Sequence, residues 1–145
     1  MSFPCVPPRG WHVPYLGIPF RYRGRNPASG WDCWGLNHWC LANHFGVEVD
    51  SHAHSYSADL ANLSRRERFR IQEGLINHHR EGWREADPCL GASLLFRIDD
   101  RPVHVGLYLG NGNFLHTLRS TGTVVESLSD ETGWNGRLEG YFVPA

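Results

Sequence analysis

One cysteine has the position expected of a catalytic nucleophile. Cys33 follows Asp32, a residue type that commonly caps helices, so we place Cys33 in the first turn of a helix. The dipole and the free N–H groups at a helix N-terminus favour a thiolate, which is the nucleophilic form of cysteine. The same N–H groups, including that of Cys33, could bind an oxyanion. The alternative is a small, unreactive core cysteine, as most free cysteines are.

Two histidines could supply the base and its orienting group. The segment Val103–Leu109 alternates between aliphatic residues and a second set that contains His104, which is typical of a strand. A hairpin signal, Gly110–Asn113, separates this strand from a second one that carries His116. If the loop has three residues, His104 and His116 share a face as diagonal neighbours. A two-residue loop without a bulge would place them on opposite faces.

A nucleophile beside a base, with a third group orienting that base, is the arrangement used for acyl transfer. We therefore interpret His104 as a base that holds Cys33 as a thiolate–imidazolium pair, and His116 as the group that fixes the His104 ring. Taken singly, a histidine on a strand is more often a surface residue than a catalytic one.

These residues must be positioned by helices followed by antiparallel strands, and this order of elements predicts an α+β fold. We expect a helix over Cys33–Phe45, ended by Gly46, and a second helix that starts after Ser64 and runs to Arg80. A short helical stretch at residues 57–63 is a weaker prediction. Residues 1–14 read as an extended arm. About five antiparallel strands are predicted, at Ala92–Ile98, Val103–Leu109, Phe114–Leu118, Thr123–Ser127 and Gly140–Val143, with a turn at residues 99–102.

Composition bounds the class of protein. The 145 residues suit one domain, and the net charge of −1 gives no electrostatic footprint for nucleic acid. No segment predicts membrane insertion. The first residues, with three prolines among the first eight, do not resemble a secretory signal, so we expect synthesis in a cytoplasm without a signal peptide.

The four cysteines form no C-x-x-C pair, so neither a zinc site nor a disulfide framework is predicted. The pairs His52/His54 and His78/His79 lack the spacing of a metal site, and we expect no metal and no cofactor.

The chain resembles the NlpC-type cell-wall peptidases, a papain-like family that cleaves peptidoglycan stem peptides. The resemblance covers about nine tenths of the chain and rests on separated segments that agree in order and spacing, namely Leu16–Tyr22, Gly30–Leu36, Leu94–Phe96, Val103–Gly112 and Phe114–His116. It implies a single domain over residues 1–145, in which a nucleophile helix packs on an antiparallel sheet.

The same resemblance implies a Cys33, His104 and His116 triad that hydrolyses stem peptides. It also places Tyr22, Asp32 and Trp34 around the nucleophile as candidate oxyanion or substrate contacts. Many bacterial members have serine where this chain has Trp34.

The segments Trp34–Leu36 and Trp134–Tyr141 resemble the branch of the family found in bacteriophage tail assembly and tail-tip proteins. This likeness implies other tail proteins as partners and the tail tip of a virion as the location. Two alternatives remain open, a structural tail-tip module that has lost efficient hydrolysis and an acyl transferase, which would need a long apolar pocket.

Overall fold

Two helices and two sheets make up the described part of the molecule. The computed structural model describes residues 3–56, 58–129 and 131–145, without the side chains of residues 58, 59, 78 and 79. Helix α1 spans Cys33–Cys40 and helix α2 spans Arg65–His79. Two short strands, β1 (Arg25–Asn26) and β2 (Gly30–Trp31), pair with each other just before α1. The nucleophile candidate is therefore the first residue of a helix that a tight hairpin precedes.

The helix boundaries confirm the predictions. The Asp32 carboxylate accepts a hydrogen bond from the Gly35 amide and so caps α1. A π-helical turn continues the helix over Leu41–Phe45, and Gly46 ends it with a φ of 74°, the left-handed conformation that glycine adopts readily. Ser64 caps α2 through the Glu67 amide.

The short helical stretch expected at residues 57–63 is a 3₁₀ turn over Ala58–Asn62, and Ser57 lies outside the described residues.

The main sheet has six strands rather than about five. They are β3 (Trp83–Ala86), β4 (Ser93–Ile98), β5 (Arg101–Gly110), β6 (Asn113–Leu118), β7 (Gly122–Ser127) and β8 (Leu138–Pro144). All pairs are antiparallel, in the spatial order β3-β8-β4-β5-β6-β7. The additional strand is β3, an edge strand with charged residues at its centre, so it lacks the apolar alternation by which strands are recognised.

The turn predicted at residues 99–102 is shorter than expected. Only Asp99 and Asp100 form it, both with positive φ, and Arg101 and Pro102 already belong to β5.

A bulge sets the register of the β5–β6 hairpin. Gly110 pairs with Asn113 across the two-residue turn Asn111–Gly112, whose residues both have positive φ. A register shift then follows between Tyr108 and Gly110. As a result Leu107 pairs with Leu115, which is the register that a three-residue loop would produce. The bulge thus keeps His104 and His116 on one face of the sheet.

The two faces of the sheet bury different clusters. Apolar residues of α1 pack on the first face, including Leu36 and Cys40 against Leu107 and Leu115. The second face carries an aromatic cluster of Phe96, Phe114 and Trp134.

Residues 3–12 form no regular element, as an extended arm would, but they are not detached from the domain. The side chains of Phe3 and Trp11 are buried in the cluster that contains α1. No helix in the described ranges has both the length and the apolar character that crossing a bilayer requires.

Close backbone contact between α1 and β1 gives a stability prediction. A Cβ on Gly35 would lie 2.0 Å from the Gly24 carbonyl oxygen, so Gly35→Ala forces the backbones apart. We expect this substitution to lower the free energy of unfolding by about 1–3 kcal/mol, as overpacking does. Urea denaturation followed by circular dichroism measures the change.

Gly74→Ala is the matched control, because a Cβ at this position in α2 meets no atom within 4 Å. We expect it to raise the free energy of unfolding by about 0.5–1 kcal/mol through helix propensity. Equal effects of the two alanines would contradict the packing described for α1.

Candidate active site

Cys33 opens onto a cleft between α1, α2 and the first face of the sheet. The cleft has a volume of about 110 Å³. Its walls are largely apolar, and its lining includes Trp34, Leu75, Ile76, Trp83, Val103 and Val105. His52 and Arg80 add two basic side chains to the lining. A substrate that enters this cleft therefore reaches the sulfur beside an apolar wall.

The sulfur of Cys33 hydrogen bonds to backbone amides, those of Val105 and Trp34. The pairing of β5 with β6 stops at Leu107, so Val105 lies beyond the paired stretch. Tyr108 exchanges hydrogen bonds with residues 91 and 92 before β4, and by strand alternation the Val105 amide points to the opposite side, toward β6. The separation of the two strands thus leaves this amide available to the sulfur.

The two imidazoles form a direct pair. His104 Nε2 lies 2.8 Å from His116 Nδ1, and both side chains are buried. Their rings pack among aromatic residues of the second face, with Trp134 at 5.7 Å from His104 and 4.9 Å from His116 between ring centroids. The two histidines therefore contact each other, as their predicted positions on neighbouring strands indicated.

The sulfur of Cys33 lies next to Val105 of β5, the residue that follows His104 in the same strand. The sulfur contacts the Val105 amide, while the His104 ring lies on the face that also carries Phe96. Among the described residues, the hydrogen bonds of the sulfur go to amides and not to an imidazole. A direct contact between the sulfur and His104 stays a prediction.

Burial sets the protonation of the three candidate groups. It raises the pKa of the Cys33 thiol to about 12, and the Asp32 carboxylate adds to this rise. Burial also lowers the pKa of His104 well below its usual value, and lowers the pKa of His116. These directions favour a neutral thiol beside neutral imidazoles before substrate binds.

A buried carboxylate holds the nucleophile end of α1. Beyond capping the Gly35 amide, Asp32 accepts hydrogen bonds from the Arg23 amide and from Arg25 Nη1 at 2.9 Å, and from the Tyr56 hydroxyl. Arg25 also donates to the Tyr56 oxygen at 2.7 Å. Asp32 therefore acts on the position of Cys33 through this network.

Asn37 fixes the first turn of α1 from the other side. Its Nδ2 donates to the Cys33 carbonyl at 2.9 Å, and its Oδ1 accepts from the Ser93 hydroxyl at 2.9 Å. Sequence reasoning missed Asn37, Arg25 and Tyr56. Helical spacing alone could have placed Asn37 over the Cys33 carbonyl, since the two are four residues apart.

Glu126 is the most consequential residue that sequence reasoning missed. Its Oε2 lies 2.5 Å from His116 Nε2, so the histidine pair continues into a carboxylate. The signal was the β6–β7 register, in which His116 pairs with Val124 and Glu126 falls on the same face two residues on.

The remaining candidate residues lie in different places. Trp34 lines the cleft, donates through Nε1 to the Asp50 carbonyl at 3.1 Å, and packs against His52. Tyr22 is not among the residues that line the cleft. Its ring packs on Phe20, with the Arg119 guanidinium 5.4 Å from its centroid.

No group of three His, Cys, Asp or Glu side chains in the described ranges could hold a metal ion. The side chains of His78 and His79 lie outside those ranges.

Comparison with known proteins gives one family. Residues 17–142 match the NlpC/P60 family. The murein DD-endopeptidase MepS/murein LD-carboxypeptidase of Escherichia coli is 29% identical over 126 residues, which is 87% of this chain and 55% of that protein. The murein DD-endopeptidase MepH of the same species is 27% identical over 120 residues, 80% of this chain and 37% of the relative. The chain thus spans about half or less of these relatives.

A solved NlpC/P60 family protein from Bacillus cereus has the same fold. It superposes with a TM-score of 0.59 at 21% identity, over 87% of this chain and 35% of that one. The predicted papain-like α+β fold is confirmed.

Thiol alkylation tests the protonation of Cys33. Because burial raises its pKa to about 12, we expect iodoacetamide to label Cys33 more slowly at pH 7 than the exposed Cys5, with a rate that still climbs above pH 9. Peptide mapping by mass spectrometry measures both rates in one sample. Rapid labelling of Cys33 with a plateau near pH 6 would instead reveal a preformed thiolate.

Proposed function

Because the chain belongs to the NlpC/P60 family, we propose that it is a cysteine peptidase that hydrolyses amide bonds of peptidoglycan stem peptides. The observation that carries the proposal is that the sulfur of a helix-terminal cysteine lies beside the Val105 amide, one residue along β5 from His104, whose ring is bonded to His116. The two Escherichia coli relatives are both named murein endopeptidases, which supports this substrate class.

In the proposed reaction the Cys33 sulfur attacks a stem-peptide carbonyl as its proton passes to His104. The resting thiol is neutral, so this transfer accompanies attack rather than preceding it. The oxyanion would be bound by the backbone amide of Cys33, the first residue of α1, because the Gly35 amide is already bonded to Asp32. His104 then gives the proton to the leaving amine, and water hydrolyses the thioester with His104 as base.

The lining of the cleft suits a stem peptide. Its apolar wall, with Val103 and Leu75, would accept a small side chain such as the methyl group of alanine. His52 and Arg80 also line the cleft, but each pairs with a carboxylate of the chain, Asp50 and Glu139, so the apolar wall carries the fit.

Substitution of the nucleophile or its base tests the proposal. We expect Cys33→Ala and His104→Ala to abolish the release of new amino termini from purified muropeptides, because each removes a bond-making group. His116→Ala should cost less, since water can replace an orienting group. Mass spectrometry of the digests identifies the cleaved bond.

Cys5→Ala is the control, because Cys5 is an exposed thiol outside the cleft lining. It should retain full activity. Equal cleavage by wild type and Cys33→Ala would refute the assignment of the nucleophile.

The protonation state of His104 determines how kcat/KM falls at acidic pH. Burial lowers its pKa, so the ring stays neutral and able to accept a proton at pH values where an ordinary histidine is already charged. We expect kcat/KM to fall only well below pH 6.5 on the acidic side. A half-maximal point above pH 7 would contradict this assignment of the base.

One observation favours a second candidate, a structural module that keeps the fold without efficient hydrolysis. The Cys33 thiol is held protonated, and its hydrogen bonds go to amides. On this alternative Cys33→Ala leaves function in assembly intact, and wild-type protein leaves muropeptides unchanged across pH and reducing conditions.

The location in a bacteriophage tail tip, with other tail proteins as partners, remains part of the proposal. Its support is the sequence of Trp34–Leu36 and Trp134–Tyr141. Proteomic analysis of purified virions from a host carrying the gene provides the test. Detection in tails separated from heads is expected, and presence only in the host cell envelope would overturn the location.

A further inference from the structure

The far nitrogen of the histidine pair contacts a carboxylate that belongs to a different strand. Glu126 of β7 places Oε2 at 2.5 Å from His116 Nε2, which is the nitrogen not used by His104. The His116 side chain is fully buried, whereas that of Glu126 is 32% exposed. The carboxylate therefore connects the buried imidazoles to the protein surface.

Donors and acceptors along this chain can be assigned from their chemistry. A carboxylate only accepts hydrogen bonds, so His116 must present Nε2–H to Glu126. A neutral imidazole with a proton on Nε2 has a lone pair on Nδ1, and that lone pair accepts from His104 Nε2–H. His104 is then left with its lone pair on Nδ1.

We propose that Glu126 is a positioning residue that orders the protons of His116 and His104 so that Nδ1 of His104 becomes the base for Cys33. This role rests on the proposed function of Cys33 and His104. When the Cys33 proton moves to His104 Nδ1, the S–H bond breaks and an N–H bond forms. The positive charge on His104 is then stabilised through His116 by the Glu126 carboxylate.

The position of the His116 ring does not depend on Glu126. Its ring packs against Phe114 of the same strand at 4.6 Å and against Trp134, which precedes β8, at 4.9 Å between centroids. Loss of the carboxylate should therefore change which nitrogen carries the proton, while the ring stays in place. A purely structural contact would leave the protonated nitrogen unchanged.

Isosteric substitution separates these two roles. In Glu126→Gln the side-chain amide can either accept from His116 Nε2–H or donate to His116 Nε2, so the tautomer is no longer fixed by an acceptor-only group and the reversed hydrogen bond to His104 becomes accessible. Glu126→Asp keeps an acceptor-only group. Glu85→Gln is the matched control, since Glu85 lies on the edge strand β3 and outside the Cys33 cleft.

The first measurement uses two-bond proton–nitrogen NMR spectra of the histidine rings in the full chain, assigned with His116→Asn. We expect wild type, Glu126→Asp and Glu85→Gln to carry the proton on Nε2 of His116 and His104, and Glu126→Gln to show an additional population protonated on Nδ1. A wild-type His116 protonated on Nδ1 overturns the proposal, and so does an unchanged spectrum in Glu126→Gln. If Glu126→Gln fails to fold, the wild-type spectrum alone decides.

The second measurement is kinetic. Glu126→Gln should lower kcat by at least about 10-fold and leave KM within about 2-fold, because the ring stays in place but loses the carboxylate that fixes its tautomer and stabilises the charge formed on His104. Glu126→Asp should recover part of the loss. Wild type without peptidase activity would refute the proposed function, while the NMR result would still judge the role of Glu126.

Discussion

The buried carboxylate of Asp32 is the interaction on which the site depends. It closes the first turn of α1 and binds both the Arg23 amide and the Arg25 guanidinium, so helix and hairpin cannot move independently. A charge at this depth is tolerated because each oxygen has partners. Burial raises the pKa of the neighbouring thiol and this charge adds to the rise, so the group that positions Cys33 also helps to keep it protonated. Asp32 thus fixes the position of Cys33 but lowers the reactivity of its thiol before substrate binds.

The two histidines on the second face of the sheet offset the low reactivity of the resting thiol. His104 and His116 are both buried, which disfavours their charged forms and leaves them neutral. Among the residues that the structure describes, the partly exposed Glu126 supplies the negative charge in contact with this pair. In the proposed reaction, a neutral chain of this kind would accept a proton when substrate binds without holding a charge in the core beforehand. On this proposal the nucleophile and its base belong to different faces of the sheet.

Much of this arrangement could be predicted because it depends on local patterns. The cap at Asp32, the stop at Gly46 and the alternation around His104 each follow from a few neighbouring residues. Strand β3 could not be predicted, since its pairing with β8 joins segments about 55 residues apart and its centre is charged. Tyr56 was missed for a similar reason, because it lies 24 residues from Asp32 and follows an irregular segment after the helix. The position of the sulfur beside β5 depends on where β5 separates from β6. No sequence pattern predicts this separation.

The bulge beside the Asn111–Gly112 turn has a consequence for how this hairpin can change length. The turn itself has two residues, and one additional bulge residue on β5 restores the pairing of Leu107 with Leu115. Removing that residue alone would shift one strand by a single step and turn His116 away from His104. Insertions and deletions at this exposed tip should therefore be tolerated in even numbers, so the lengths of homologous hairpins would share a parity.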